Sequence, residues 1–155
     1  MKTFDRLVTF VLDRQRYALD LSSVEKVVRA VEVTPLPKAP GIVSGVINMQ
    51  GRVVPVFNIR KRFGLPEREL ALSDQMIIAN TSRRTVSLAV EQVEGTMEQS
   101  TLERVMPGKI LPEMEYVEGV VKLEDGMVFI HDLDRFLSLE EEKEIDDALR
   151  EGGQG

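Results

Sequence analysis

VSGVINMQGRVVPVFNIRKRF (residues 43–63) and VEGVVKLEDGMVFIHDLDRFL (residues 117–137) are one pattern written twice. A displacement of 74 residues lays one on the other without a gap: Val43 on Val117, Gly45 on Gly119, Val46 on Val120, Ile47 on Val121, Met49 on Leu123, Val56 on Ile130, Asn58 on Asp132 and Ile59 on Leu133. Each copy reads as a hairpin of two short apolar strands, then Asn or Asp as a helix N-cap, then a helical turn. A weaker match, displaced by 69, lays Tyr17-Ala18-Leu19 on Val86-Ser87-Leu88 and Leu21–Val24 on Val90–Val93. Such self-similarity points to two related units of structure. A unit of about 70 residues is marginal alone, so a core shared between the two is expected, with a groove where they meet.

Outside the repeat the same grammar continues. Residues 7–12, 16–21, 76–80 and 85–91 are short runs rich in Val, Ile, Leu and Phe, bounded by turn residues. In TVSLAVE, Val86, Leu88 and Val90 alternate with Ser87, Ala89 and Glu91, the signature of a strand. Asp125-Gly126 and, less strongly, Gln50-Gly51 supply the positive φ angles of tight hairpins, with Gly51 and Gly126 as the structural turn residues. Pro55 cannot donate to a ladder, so its strand is expected at an edge or at a bulge. The chain is therefore all-β, with few helical signals. Three S-x-x-E capping boxes occur at Ser22/Glu25, Ser100/Glu103 and Ser138/Glu141. The last opens LEEEKEIDDALR, where Leu139, Ile145, Ala148 and Leu149 share a stripe. That predicts a C-terminal helix over 138–150 and a frayed tail over 151–155, the end of a self-standing chain. Three prolines in Thr34–Gly41 predict a stiff, extended connector.

Composition narrows the function. With 155 residues, a net charge of −6 and a pI near 5.0, the chain lacks the basic footprint of a nucleic-acid binder. No apolar stretch approaches the length of a membrane span, so no direct membrane insertion is expected. The absence of cysteine removes disulfides, thiolate metal sites and thiol nucleophiles, in keeping with a cytoplasmic protein. Neither G-x-x-x-x-G-K-[ST] nor G-x-G-x-x-G occurs. His131 is the single histidine, and its match with Phe57 makes it the end of a strand whose Asp132 caps the next turn. The acidic run at 140–142 and the basic run Arg60-Lys61-Arg62 read as solvated faces, the latter alternatively as a contact with an acidic partner. The dispersed methionines read first as core filling, while Met97 and Met106 flank an expected loop and alternatively suit an adaptable surface. No catalytic, cofactor-binding or metal-binding residue is expected, and no cofactor.

GIVSGVINMQGRVVPVFNIRKRFG (41–64) resembles the central motif of the CheW-like chemotaxis coupling proteins: a Gly-Val-x-Asn hairpin turning at Gly, then Pro-Val, then a helix start leading to Phe-Gly. RYALDLSSVEKVVRAVEVTPLPKAP upstream, and VSLAVEQVEGTMEQS and YVEGVVKLEDGMVFIHDLDRFL downstream, are similar to the flanking segments of that family, so the resemblance covers about residues 5–137. It implies two linked SH3-like five-stranded β-barrels forming one domain over 1–137, with pseudo-repeat halves 4–66 and 73–137 that could exchange strands. It also implies a non-catalytic adaptor joining the cytoplasmic tip of a methyl-accepting chemoreceptor to the regulatory domain of a CheA-type histidine kinase. The alternative is a scaffold in a chemotaxis-like pathway with another output, such as surface motility or development. Carried over by position, the receptor groove would include Val24, Lys26, Gly45, Gln50 and the region of Thr96, while Gly45 allows close backbone approach.

Three positions depart from the family pattern: Lys26 stands where an acid is common, Gln50 where Arg is common, and Asn58 where Asp is frequent. The first two remove an acid–arginine pair from the groove. Charge across an interface governs partner choice more than raw affinity, so a dedicated receptor–kinase set is expected.

Overall fold

Strands that are apolar on both faces must be covered on both faces. The computed structural model, which describes residues 4–100, 117–123 and 126–152, shows how. The strands are β1 (Phe4–Leu12), β2 (Gln15–Asp20), β3 (Val24–Arg29), β4 (Val43–Met49), β5 (Arg52–Phe57), β6 (Gln75–Asn80), β7 (Thr85–Val90), β8 (Gln92–Ser100), β9 (Val117–Leu123) and β10 (Gly126–His131). Helix α1 (Ile59–Arg62) follows β5, a 3-10 turn (Leu133–Arg135) follows β10, and α2 (Leu139–Gly152) ends the described chain. The strands form two five-stranded sheets, ordered β8-β1-β2-β10-β9 and β3-β6-β7-β5-β4.

Related strands hold the same place in each sheet: β8 with β3, β1 with β6, β2 with β7, β10 with β5, β9 with β4. Both sheets draw on both parts of the chain. In each, a parallel pairing joins the parts, Ile130 with Ala18 in the first sheet and Val56 with Ser87 in the second. These are the residues that the two displacements superpose. Among the described residues the ladders leave both sheets open, ending at β8 and β9 in one and at β3 and β4 in the other.

Period-2 alternation divides the side chains among three cores. Val121, Val128 and Ile130 pack with Leu7 and Ala18 inside the first sheet. Their repeat mates Ile47, Val54 and Val56 pack with Met76 and Ile78 inside the second. The opposite faces meet in a larger shared core, where Phe10, Tyr17 and Leu19 of the first sheet join Phe57, Ile77, Val86, Leu88 and Val90 of the second. On β1 the alternation alone sends Leu7 to the private core and Phe10, three residues on, to the shared one, and a bulge opposite Thr9 and Phe10 leaves Glu94 of β8 as the extra residue.

A buried arginine fastens the two sheets as well. Arg60 on α1 donates to Asp13 Oδ1 at 2.7 Å, to Pro66 O at 3.1 Å and to the carboxylate of Glu91. Asp13 lies in the tight β1–β2 turn, where both Asp13 and Arg14 hold positive φ, and its amide donates to Glu91 Oε1 at 3.1 Å. Glu91 joins β7 of one sheet to β8 of the other. The basic run is thus not a solvated face: Arg60 is buried, Arg62 is half-buried against Glu141, and Lys61 alone is exposed.

Other expectations also needed revision. β5 is not an edge but an interior strand whose ladder to β4 is irregular between Val43 and Gly45, and Pro55 is tolerated there because the ladder to β7 covers only Val56 and Phe57. Thr34–Gly41 is bent, not extended: Ala39 N donates to Leu36 O at 3.3 Å around Pro37-Lys38, with Lys38 at φ 65°, and Val43 N donates to Pro40 O at 2.9 Å. Residues 92–100 form a strand on the edge beside β1 instead of leading into a loop at Met97, which packs on the first sheet's core as its core-filling reading has it. Met106, Glu103 and Asp125 lie outside the described residues.

Because one core serves both sheets, unfolding is expected as a single cooperative transition. Leu88→Ala should lower stability by about 2–5 kcal/mol. Val54→Ala and Val128→Ala, in separate private cores, should each move that one transition without splitting it. Calorimetric and van't Hoff enthalpies that agree in all four proteins would support this; two resolved transitions would refute it.

Candidate interaction surface

The β4–β5 hairpin turns at Gln50-Gly51 with φ of 54° and 87°, both left-handed, and Asn48 Oδ1 accepts the Gly51 amide at 2.9 Å. The turn is therefore fixed, and Gln50 at its tip is exposed. Next to it, Arg52 forks onto Glu25 at the start of β3, with Nη2–Oε2 at 2.5 Å and Nη1–Oε1 at 3.3 Å. That hydrogen bond holds the Glu25 carboxyl below its usual range. Glu25 lies between Val24 and Lys26, so the bridge ties these two positions to the hairpin that carries Gln50. Ser22 and Glu25 consequently form no capping box; a 3-10 turn at Leu21–Ser23 runs straight into β3.

Gly45 sits on β4 with φ 155° and is buried. A Cβ there would lie 2.3 Å from Thr34 O and 2.8 Å from Val33 Cγ1. The lack of a side chain lets Thr34 and Val46 exchange backbone hydrogen bonds of 2.9 and 2.8 Å, which moors the connector across the edge strand β4. Thr96 lies elsewhere, on edge strand β8 of the other sheet, opposite Val8. Glu25, between Val24 and Lys26, is thus tied to the hairpin that carries Gln50, while Val24 itself packs against the shared core; Gly45 supports the strand beneath the connector, and Thr96 belongs to a second sheet.

Sequence reasoning missed three residues of this surface. Arg52 makes the ion pair, while Val27 and Val53, 37% and 58% exposed, leave apolar side chains on the strands that it links. The alternation within VEKVVR, where Glu25, Val27 and Arg29 face outward, was the available signal.

Elsewhere the chemistry is internal. His131 is buried and stacks on Phe63, with centroids 4.2 Å apart and planes 13° apart, while Asp132 accepts the Asp134 amide at 3.0 Å. Among the described residues no group of three or more His, Asp or Glu could hold a metal ion. A cleft of about 350 Å³, at the small end of the range for ligand sites, is lined by Leu12, Val56, Ile59, Arg60, Arg68 and Asp74. Two of its charges engage each other: Arg68 grips Asp74 at 2.7 and 3.0 Å, and Asp74 Oδ2 also accepts the Ala71 amide at 2.8 Å. Arg60 is held by Asp13 and Glu91. Burial pushes the Asp74 carboxyl up, but Arg68 and that amide outweigh it and leave the group below its ordinary value.

Comparison with known proteins agrees with this architecture. The family model described as CheW-like domain matches residues 6–144. Chemotaxis protein CheW of Treponema pallidum is 27% identical over 142 residues, covering 88% of this chain and 84% of that protein. Chemotaxis protein CheW of Thermotoga maritima is 28% identical over 137 residues, covering 88% and 89%. The crystal structure of the scaffolding protein TtCheW from Thermoanaerobacter tengcongensis matches with a TM-score of 0.81 at 27% identity, over 90% of this chain and 96% of that one.

Two outcomes follow from this geometry. Gly45→Ala should cost about 1–3 kcal/mol and speed hydrogen exchange at the Thr34 and Val46 amides, because the added Cβ displaces the connector. A lowered carboxyl pKa stabilises the fold above the unfolded-state value and ceases to do so as pH falls through the folded-state value. Asp74→Asn should therefore reduce the urea midpoint near neutral pH, and the gap from the native protein should close below the ordinary carboxylate range.

Proposed function

Because the chain belongs to the CheW-like domain family and is a non-catalytic chemotaxis scaffold, we propose that it joins the cytoplasmic tip of a methyl-accepting chemoreceptor to the regulatory domain of a CheA-type histidine kinase. The observation that carries this reading is the family match, which runs from β1 into α2 and so spans both sheets. Coupling of this kind needs no reacting groups. It needs two docking surfaces held in one geometry, so that the receptor state preferred by one partner biases the kinase state preferred by the other. Cytoplasmic residence is part of the same reading, and no described helix is long and apolar enough to cross a membrane.

The receptor side is the surface around Val24, Lys26 and Gln50. The Glu25–Arg52 pair stands in sequence beside the two positions that depart from the family's acid and arginine, so the surface keeps an internal acid–arginine bridge, with exposed Gln50 near Arg52 and half-buried Lys26 next to Glu25. Its flanking apolar groups are Val27 and Val53. A lysine and a neutral amide there favour a receptor tip with an acidic complement, a dedicated partner for this chain. Asn58 plays a different part: its side chain caps α1 by accepting the Lys61 amide at 3.2 Å and donates to Glu67 at 3.1 Å, so it acts within the fold.

Titration calorimetry with a soluble receptor tip and an isolated kinase regulatory domain tests the reading. Both should bind, and each should bind in the presence of the other; binding of neither would refute it. Lys26→Glu combined with Gln50→Arg should raise affinity for a tip from an unrelated chemotaxis system by about tenfold, or 1.4 kcal/mol. Equal affinity of the native chain and the double variant for that tip would overturn the dedicated-partner proposal.

A further inference from the structure

The helix α2 has no counterpart in the first copy of the repeat. After Phe63 the chain enters the loop before β6, whereas after the matching Leu137 it starts a helix of 14 residues. The family match stops at residue 144, inside this helix, so Ile145, Asp146, Ala148 and Leu149 lie beyond it. They are nevertheless committed to the body: Ile145 is buried in the shared core, Ala148 is buried as well, and Leu149 packs against that core.

The polar contacts of the segment share a direction. It leaves β10 in the first sheet and lands on elements of the second. Asp134 Oδ1 accepts the Ser82 amide of the β6–β7 turn at 2.7 Å. Arg84, at the end of that turn, donates Nε to Glu142 Oε2 at 2.9 Å and Nη2 to Asp146 Oδ1 at 2.5 Å. Arg62, at the end of α1 behind β5, donates to Glu141 Oε2 at 2.6 Å. Glu141 serves twice, because its Oε1 accepts the Ser138 amide at 3.0 Å while its own amide donates to Ser138 Oγ at 3.1 Å, a complete capping box. Arg84 and Glu142 are 12% and 9% exposed at their side chains, so this pair is shielded from solvent and from salt.

We infer that residues 134–149 form a strap, chained to the first sheet and clamped by Arg62 and Arg84 to the second, which sets the angle between the two sheets and hence between the surfaces that they offer to partners. The part of the inference that concerns partners rests on the proposed coupling role; the strap itself does not. A shared apolar core resists separation of the sheets but is non-directional, and it permits small rotations. Three polar tethers converging on one helix from two elements of the opposite sheet supply the missing direction. Removing them is predicted to loosen the angle while leaving each docking surface intact.

The chain has no cysteine, so Arg29→Cys on β3 and Lys122→Cys on β9, both exposed, label one sheet each with a nitroxide. Dipolar spectroscopy should show one narrow distance distribution in the otherwise native protein and a broadened one after Arg62→Met with Arg84→Met. Arg62→Lys with Arg84→Lys, which keeps the charges, should recover most of the narrow distribution. An unchanged distribution in the Met variant overturns the proposal. Should the Met variant fail to fold, hydrogen exchange on the native protein decides: α2 amides must open only with the core strands, and independent opening of α2 rejects the strap. In the folded Met variant, receptor tip and kinase domain should each bind as before, but any effect of one partner on the affinity for the other in the native protein should fall towards none. Failure of the native protein to bind either partner would sink the coupling role, with the distance measurement still deciding the strap.

Discussion

Neither sheet can be completed by a contiguous piece of this chain, and everything else in the structure follows from that constraint. The first sheet sets β1 and β2 beside β8, β10 and β9; the second sets β6 and β7 between β3 and β5. The joints are the long-range pairings β1–β8 and β2–β10 in one sheet, and β3–β6 and β5–β7 in the other. Loss of one sheet would leave the other short of strands and would uncover the shared core, so the two form together or not at all. Non-local pairing of this extent closes large loops before any contact rewards the closure, which places the protein among slow-folding topologies.

The repeat made much of this legible before any coordinates. Residues that superpose under the 74-residue displacement are the ones that fill matching private cores: Ile47 and Val121, Val54 and Val128, Val56 and Ile130. Alternation in TVSLAVE likewise sorted Val86, Leu88 and Val90 from Ala89, and the structure sends the first three to the shared core and Ala89 to the private one. The two unread strands share a physical cause. β3 and β8 end their sheets, bury one face at most, and carry Glu25, Arg29, Glu94 and Glu98 on the other. Charges of that kind protect an edge from further pairing, and they also erase the apolar pattern by which a strand is read.

Charged residues were misread for a different reason. A run such as Arg60-Lys61-Arg62 looks alike whether it faces water or the interior, because the partners that decide are remote in sequence: Asp13 and Glu91 for Arg60, Glu141 for Arg62. Local spacing also suggested that Glu25 caps a helix with Ser22, when its real partner Arg52 lies across a curled sheet. The same S-x-x-E spacing at Ser138 is a true box, because a 14-residue amphipathic helix follows it and an apolar core receives that helix. A cap motif is informative only with the helix behind it.

An adaptor transmits a signal only as far as its joints are stiff. Suppose each partner binds one surface and the body between them rotates freely; the geometry of one complex then carries no information about the other, whatever the affinities. Here the body resists rotation through three unlike means. Apolar burial opposes separation, Arg60 locks the β1–β2 turn to the crossing point between sheets, and the C-terminal segment reaches over to Arg62 and Arg84. The two ionic joints are costly as isolated interactions, since buried charges must be desolvated, and an apolar replacement could match them in stability. What an apolar replacement lacks is direction. Fixed donor–acceptor geometry restricts orientation in a way that interchangeable methyl contacts do not, which gives a molecule without reacting groups a physical reason to keep buried arginines.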